Sequence, residues 1–161
     1  MTMSLATSRQ SESARAASAA EARYRIDVPI APARAARVVA LDDRAAQVAA
    51  RLAAHPWGHA EFLRADAVGD LRELGGGPLP LTAALIGADV VVALATEDGG
   101  RDTAERIGQH CFRYGITTAG VVLGQGFEAD DAVAALRPYA RVLLLSADES
   151  DVFELLTALR V

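Results

Sequence analysis

The chain contains no lysine, because all 16 of its basic residues are arginine. This absence excludes sites that depend on a lysine side chain, such as the P-loop lysine, a Schiff base and the lysine of a receiver domain. Cys111 is the single cysteine, so an internal disulfide and a metal cage built of thiolates are also excluded. Several common classes of enzyme and metal site are therefore removed before any motif is considered.

Long apolar segments are missing as well. The longest runs, such as Val90–Ala95, are far shorter than the roughly 20 residues that span a bilayer. The first residues lack the basic cluster and apolar stretch of a secretory signal. A net charge of −5 and an isoelectric point near 5.2 disfavour nucleic acid as the main partner. The sequence predicts a cytoplasmic protein that binds neither membranes nor nucleic acid.

Hydrophobic residues make up 52% of the chain, but aromatic residues only 5%. Alanine, valine and leucine must therefore fill the core of a globular domain. Residues 1–23 are rich in Ser, Ala and Arg and have few large apolar side chains, which predicts a flexible N-terminal tail. Residues 24–161 are predicted to form one α/β domain. Its first segment, Tyr24–Ile30, alternates like a half-exposed strand.

Short apolar runs alternate with stretches of helical periodicity from Arg37 onwards. This pattern predicts an α/β, three-layer Rossmann-like domain with a mainly parallel sheet of about five core strands. The predicted core strands are Val38–Leu41, Ala60–Leu63, Val90–Ala95, Thr118–Leu123 and Val142–Leu145. Between them, Gly75–Gly77 with its flanking prolines predicts a break in regular structure.

Acidic and small polar residues mark the predicted helix starts. Asp42 or Asp43 is expected to cap the first helix, and Asp148 or Ser150 the last. The spacing of Asp102 and Glu105 resembles a capping box.

Four loops follow the predicted strands and should meet at one edge of the sheet, where ligands bind in such folds. Their glycines permit close backbone approach, and helix N-termini offer N–H groups to an anion. The candidate ligand-binding residues are Asp42, Asp43, Thr96, Gly99, Gly100, Thr103, Gly124, Gly126 and Ser146. No catalytic residue is predicted, because the loops lack a nucleophile motif such as G-x-S-x-G.

The same loops are rich in carboxylates, which disfavour a bare phosphate. Capping of helix N–H groups is the simpler explanation for these carboxylates, and no cofactor is then expected. The alternative is a Mg²⁺ site made from Asp42 and Asp43 with Asp98 or Asp148. Cys111 lies on the inward stripe of its helix, which predicts a buried, inert thiol. His55 and His59 fall at the opposite edge and are expected to be ordinary surface residues.

The segments GADVVVALATEDGGRDT at Gly87–Thr103 and GITTAGVVLGQGFE at Gly115–Glu128 resemble the nucleotide-binding domain of the tubulin/FtsZ family of GTPases. Gly99, Gly100 and Thr103 match the phosphate loop of that family. Asp98, Arg101, Asp102 and Ala104 instead stand where the family has glycine or threonine, and Leu41-Asp42-Asp43-Arg44 replaces a second glycine run. The resemblance implies a Rossmann-like relative that has lost GTP binding.

Three functions are compatible with these patterns. The favoured hypothesis is a non-catalytic binding or accessory module with a protein partner, since lysine and a nucleophile are absent and the loops repel phosphate. The first alternative is a Mg²⁺-dependent enzyme or sensor that binds a nucleotide or a phosphorylated metabolite. The second alternative is a self-associating structural protein, as the resemblance implies.

Overall fold

A computed structural model describes residue 24, residues 31–125 and residues 129–161. The chain divides into two units after Pro32, and the fold below is that of the second unit, Ala33–Val161. The predicted tail at 1–23, the predicted strand at Tyr24–Ile30 except Tyr24 itself, and the candidate residue Gly126 lie outside the described residues.

The described residues of the domain form an α/β fold with one mostly parallel sheet of seven strands. The strands are β1 Ala36–Ala40, β2 Ala60–Ala65, β3 Leu71–Glu73, β4 Pro78–Leu79, β5 Val90–Ala95, β6 Thr117–Leu123 and β7 Val142–Ala147. Their spatial order is β4-β3-β2-β1-β5-β6-β7. Strand β1 pairs in parallel with β2 and β5, β5 with β6, and β6 with β7. The pairs β2–β3 and β3–β4 are antiparallel and form one edge of the sheet.

Five helices accompany these strands in the described part of the chain, four between strands and the last after β7. They are α1 Asp43–Ala53, α2 Leu81–Leu85, α3 Arg101–Tyr114, α4 Asp130–Leu136 and α5 Glu149–Ala158. A single 3₁₀ turn, Asp98–Gly100, leads directly into α3. None of the helices in the described residues has the length and apolar character required to cross a membrane.

Successive residues of the central strand β5 belong to two different hydrophobic clusters, as the two-residue period of a strand requires. Val90, Val92 and Leu94 pack with residues of α1 and α5. Val91, Ala93 and Ala95 pack with residues of α2, α3 and α4 instead. Both sides of β5 are therefore buried, which explains why its sequence is a continuous apolar run.

The sheet has more strands than the sequence predicted. The five parallel strands coincide with the five predicted core strands, but the prediction missed β3 and β4. A tight turn connects β2 to β3. The Asp66 carboxylate stabilises it by accepting hydrogen bonds from the backbone N–H groups of Val68 (2.9 Å) and Asp70 (3.0 Å). Pro78 is accommodated because β4 lies at the edge of the sheet.

The helix caps correct one prediction and confirm two. Asp42 caps α1, and Asp148 caps α5 within a capping box completed by Asp151. The predicted capping box at Asp102 and Glu105 is wrong: α3 begins at Arg101, and its cap position makes no side-chain hydrogen bond. Because the 3₁₀ turn Asp98–Gly100 leads directly into the helix, the helix begins one residue before Asp102, and Asp102 lies in its first turn.

Candidate functional site

The strand order reverses direction between β1 and β5. From β1 the chain passes to β2 on one side, and it later returns to β5 on the other side. Open α/β sheets bind ligands in the crevice beyond the carboxyl ends of two such strands. The segments at this position are Leu41–Asp42 after β1 and Thr96–Gly100 after β5, so five of the nine candidate residues lie at or next to the expected crevice.

Asp42 joins the two sides of this crevice with its own carboxylate. One oxygen, Oδ1, accepts hydrogen bonds from the Ala45 backbone N–H (2.8 Å) and the Thr96 hydroxyl (2.7 Å). The other, Oδ2, accepts from the backbone N–H groups of Thr96 (2.6 Å) and Glu97 (3.2 Å). These four donors are the kind of groups that a bound phosphate would use. The carboxylate of Asp42 thus takes the role of the anion at the crevice.

The backbone closes the crevice further at Gly100. A Cβ atom at this position would lie 2.6 Å from the Cβ atom of Leu41 and 3.1 Å from its carbonyl oxygen. The neighbouring Gly99 is exposed and has no comparably close contact. Gly100 therefore permits the loop after β5 to pack directly on the loop after β1. The loop Thr96–Thr103 forms a closed cap over the crevice.

Three other carboxylates of these loops also have partners within the fold. Asp43 pairs with Arg64 at 2.5 Å, and the Asp98 carboxylate accepts a hydrogen bond from the Asp131 backbone N–H at the start of α4 (2.8 Å). Hydrogen bonds from the Ser150 hydroxyl and from the backbone lower the pKa of Asp148. Within the described residues, no group of three or more His, Cys, Asp or Glu side chains is arranged to hold a metal ion.

The remaining candidates lie apart from Asp42. Thr103 is buried on α3. Gly124 follows β6 in the left-handed region (φ +83°), and its N–H donates to the Ala147 carbonyl oxygen at 3.0 Å. Ser146 is exposed in β7 and is also left-handed, with φ +56°. The structure brings Gly124 close to β7, but no contact among the described residues joins it or Ser146 to the Asp42 network.

No protein-family model matches this chain, and no curated protein matches it. Function must therefore be argued from the residues themselves.

The opposite edge of the sheet, at the amino ends of β5 and β6, carries a cavity that the sequence patterns did not predict. It has a volume of about 400 Å³ and lies between α2 and α3. Its wall includes Thr82, Leu85, Ile86, His110, Tyr114 and Ile116. An adjoining cavity of about 190 Å³ shares Thr82 and His110 and is lined by Arg106, Gln109 and Arg113. We call the two together the α2–α3 groove.

Two titratable side chains of α3 lie at or behind this groove. Burial, together with the nearby positive charge of Arg113, lowers the pKa of His110, whose ring lies 4.6 Å from that of Tyr114. Both causes favour the neutral imidazole of His110. Cys111 is buried, as predicted, and burial raises the pKa of its thiol. A buried thiol with a raised pKa is a poor nucleophile.

The wall of the groove is held by Arg37, a buried arginine in β1. Its guanidinium donates to the carbonyl oxygens of Ala84 (2.9 Å) and Ile86 (3.2 Å) at the end of α2. It also pairs with Glu61 at 3.3 Å. No sequence pattern predicted a role for Arg37. The available signal was an arginine placed directly before the apolar run Val38–Leu41.

The histidines near Trp57 form no candidate site. The ring of His55 lies 5.0 Å from that of Phe153 and 6.3 Å from that of Trp57. The indole N–H of Trp57 donates to the Leu52 carbonyl oxygen at 2.8 Å. His55 therefore packs in an aromatic cluster at the surface, and His59 is exposed.

Proposed function

We propose that this domain is a non-catalytic binding or accessory module on a three-layer Rossmann-like scaffold. The single observation that carries the proposal is the Asp42 carboxylate, whose two oxygens accept four hydrogen bonds at the crevice. A phosphate brought to the same donors would meet a fixed negative charge. Two unit charges about 4 Å apart repel by about 1 kcal/mol in water and by more when they are desolvated.

The scaffold part of the proposal is supported by the strand order and by the packing of β5. Numbered among themselves, the five parallel strands follow the order 2-1-3-4-5, which is the order of doubly wound flavodoxin-like sheets. The two clusters on the alternating residues of β5 draw on different helices. We also propose that the domain is a relative of the tubulin/FtsZ nucleotide-binding domain that has lost GTP binding.

The partner we propose is a protein. Few groups at the crevice are available for chemistry, since lysine is absent and the carboxylates of Asp43, Asp98 and Asp148 have partners within the fold. Residues 1–23 carry three arginines and form a candidate docking arm for an acidic partner. Deletion of residues 1–23 should therefore remove a co-purifying partner, and retention of every partner would contradict this role of the tail.

A thermal unfolding screen with ATP, GTP and their diphosphates, each with and without Mg²⁺, tests the proposal. A ligand present at 100 times its dissociation constant adds about 2.7 kcal/mol to the free energy of unfolding. We expect no shift for the wild-type chain with any of these nucleotides. A saturable, Mg²⁺-dependent shift would contradict a non-catalytic module and would favour the nucleotide-binding alternative.

The variant Asp42→Ser sharpens the screen. Serine retains the ability to cap α1 but removes the negative charge from the crevice. Weak nucleotide binding that appears only in this variant would identify the carboxylate as the group that excludes phosphate. Asp43→Ser is the matched control, because Asp43 is exposed and bonds to Arg64 rather than to the loop after β5.

A further inference from the structure

The α2–α3 groove has two ends of different chemistry. The larger cavity is mainly apolar and is lined by Leu85, Ile86 and Ile116. The smaller cavity is polar and is lined by Arg106, Gln109 and Arg113. His110 and Thr82 belong to both. From Arg106 to Tyr114 the groove follows nine residues of α3, whose eight steps span about 12 Å at the rise of an α-helix.

Positive charge at the polar end is available for a ligand. Arg106 is engaged by Asp70 and by the Gly69 carbonyl oxygen. Arg113, in contrast, has no ion-pair partner among the described residues. None of the described residues that line the two cavities is a carboxylate. The groove therefore carries local positive charge on a chain whose net charge is −5.

The size and the charge of the groove together select one class of ligand. Cavities of about 300–1,000 Å³ with apolar walls and a few polar groups are typical of small-molecule sites. A guanidinium recognises a carboxylate with two parallel hydrogen bonds, which a neutral ligand cannot accept in the same way. The lowered pKa of His110 favours its neutral imidazole, which can contribute a hydrogen bond without a competing charge.

We propose that the α2–α3 groove binds a small amphipathic carboxylic acid. Its hydrocarbon part lies against Ile86, Tyr114 and Ile116, and its carboxylate pairs with Arg113. The inference rests on the proposed function, since it names a ligand class for a domain that binds without catalysis. The site is separate from the crevice at Asp42, so the two proposals fail in different experiments.

Octanoate is the probe, with octan-1-ol of equal chain length as the uncharged control. Binding to the full chain is followed by NMR at the methyl groups of Leu85, Ile86 and Ile116. We expect saturable shifts of these methyls with octanoate and an affinity at least tenfold weaker for octan-1-ol. Absence of saturable shifts at these methyls with octanoate would overturn the proposal, and so would equal affinities for the acid and the alcohol.

Arg113→Gln removes the charge from an exposed position and should leave the fold intact. We expect it to weaken octanoate binding about tenfold, as for the loss of a charge-assisted hydrogen bond, and to leave octan-1-ol binding unchanged. Arg101→Gln is the matched control on the same helix, since Arg101 is exposed and pairs with Asp131 outside the groove. Equal octanoate affinities for these two variants would overturn the assignment of Arg113.

A result at one site does not decide the other. Loss of the octanoate response, with no nucleotide-induced shift, would reject the groove ligand and leave the binding-module proposal in place. A Mg²⁺-dependent nucleotide shift with octanoate binding intact would contradict the proposed function alone.

Discussion

The two ends of the parallel strands differ in how their polar groups are satisfied. At the carboxyl end, the Asp42 carboxylate accepts four hydrogen bonds, and Gly100 allows the two loops to touch. At the amino end, the α2–α3 groove stays open and presents Arg113 beside an apolar cavity. The fold makes the first end the expected ligand site, yet the side chains available for a ligand lead us to propose the second end. The position of a crevice in the fold therefore does not decide whether its polar groups are free to bind a ligand.

The largest effect is expected from breaking the closed end at Asp42. Asp42→Ala removes a helix cap and leaves the Thr96 and Glu97 N–H groups without their acceptor. Hydrogen bonds to a charged group contribute about 1.5–3 kcal/mol and a cap about 1 kcal/mol, so we expect a loss of about 3 kcal/mol. Urea unfolding followed by circular dichroism measures it.

Asp43→Ala is the control for that change. Its exposed ion pair with Arg64 should contribute less than about 1 kcal/mol. If Asp42→Ala were no more destabilising than Asp43→Ala, the network that closes the crevice would have no energetic role.

The second effect concerns the wall of the open end. Arg37→Met keeps an aliphatic stem but removes the donors to the carbonyl oxygens of Ala84 and Ile86. We expect a loss of about 2 kcal/mol, because two partly buried acceptors lose their partner. Octanoate affinity should fall as well, since the end of α2 forms the wall of the groove. The same urea titration and NMR measurement test both effects.

Arg101→Met provides the comparison for Arg37→Met, because both replace an arginine but Arg101 is exposed. A variant of Arg37 that unfolds like the wild type and binds octanoate equally well would show that the buried guanidinium does not support the groove.

The third effect tests the contact between the two crevice loops. Gly100→Ala places a methyl group 2.6 Å from the Cβ atom of Leu41, so one loop must shift. Overpacking of this kind costs about 1–3 kcal/mol. Gly99→Ala adds the same atom in open surroundings and should change stability by less than about 0.5 kcal/mol. Differential scanning calorimetry of both variants measures the difference, and equal melting temperatures would contradict a closed cap.

The sequence predicted the five parallel strands well, because the burial of a strand leaves a pattern in its own few residues. Strands such as β5 are buried on both sides, so their apolar runs reveal them without knowledge of the rest of the fold. β3 and β4 are only three and two residues long, and β4 begins with a proline, so no periodic pattern marks them. The loop containing Asp42 was also placed at the correct edge of the sheet.

The sequence did not predict which side chains contact each other when they lie far apart in the chain. Asp42 and Thr96 stand 54 residues apart, and only their spatial position decides whether the carboxylate faces a ligand or a neighbouring loop. The α2–α3 groove arises in the same way, from the packing of two helices that no motif connects. The sequence therefore predicted the position of Asp42 and its helix cap but not its hydrogen bonds to the loop after β5, and it predicted nothing of the α2–α3 groove.

The smallest expected effect uses pH to sharpen the description of the open end. Burial, followed by the charge of Arg113, holds the pKa of His110 below 6.5 in the folded chain. As the pH falls below 6.5, the unfolded chain therefore binds the proton first, and the free energy of unfolding decreases. We expect His110→Gln to lose less stability than the wild type between pH 7.5 and pH 5.5, measured by urea unfolding at both pH values.

The stability loss of Arg113→Gln should fall between them, since this variant removes the charge of Arg113 and leaves the burial of His110. If the wild type and His110→Gln lost the same stability, the imidazole would be as free to take up a proton in the folded chain as in the unfolded one, and the polar end of the groove would have to be redrawn without it.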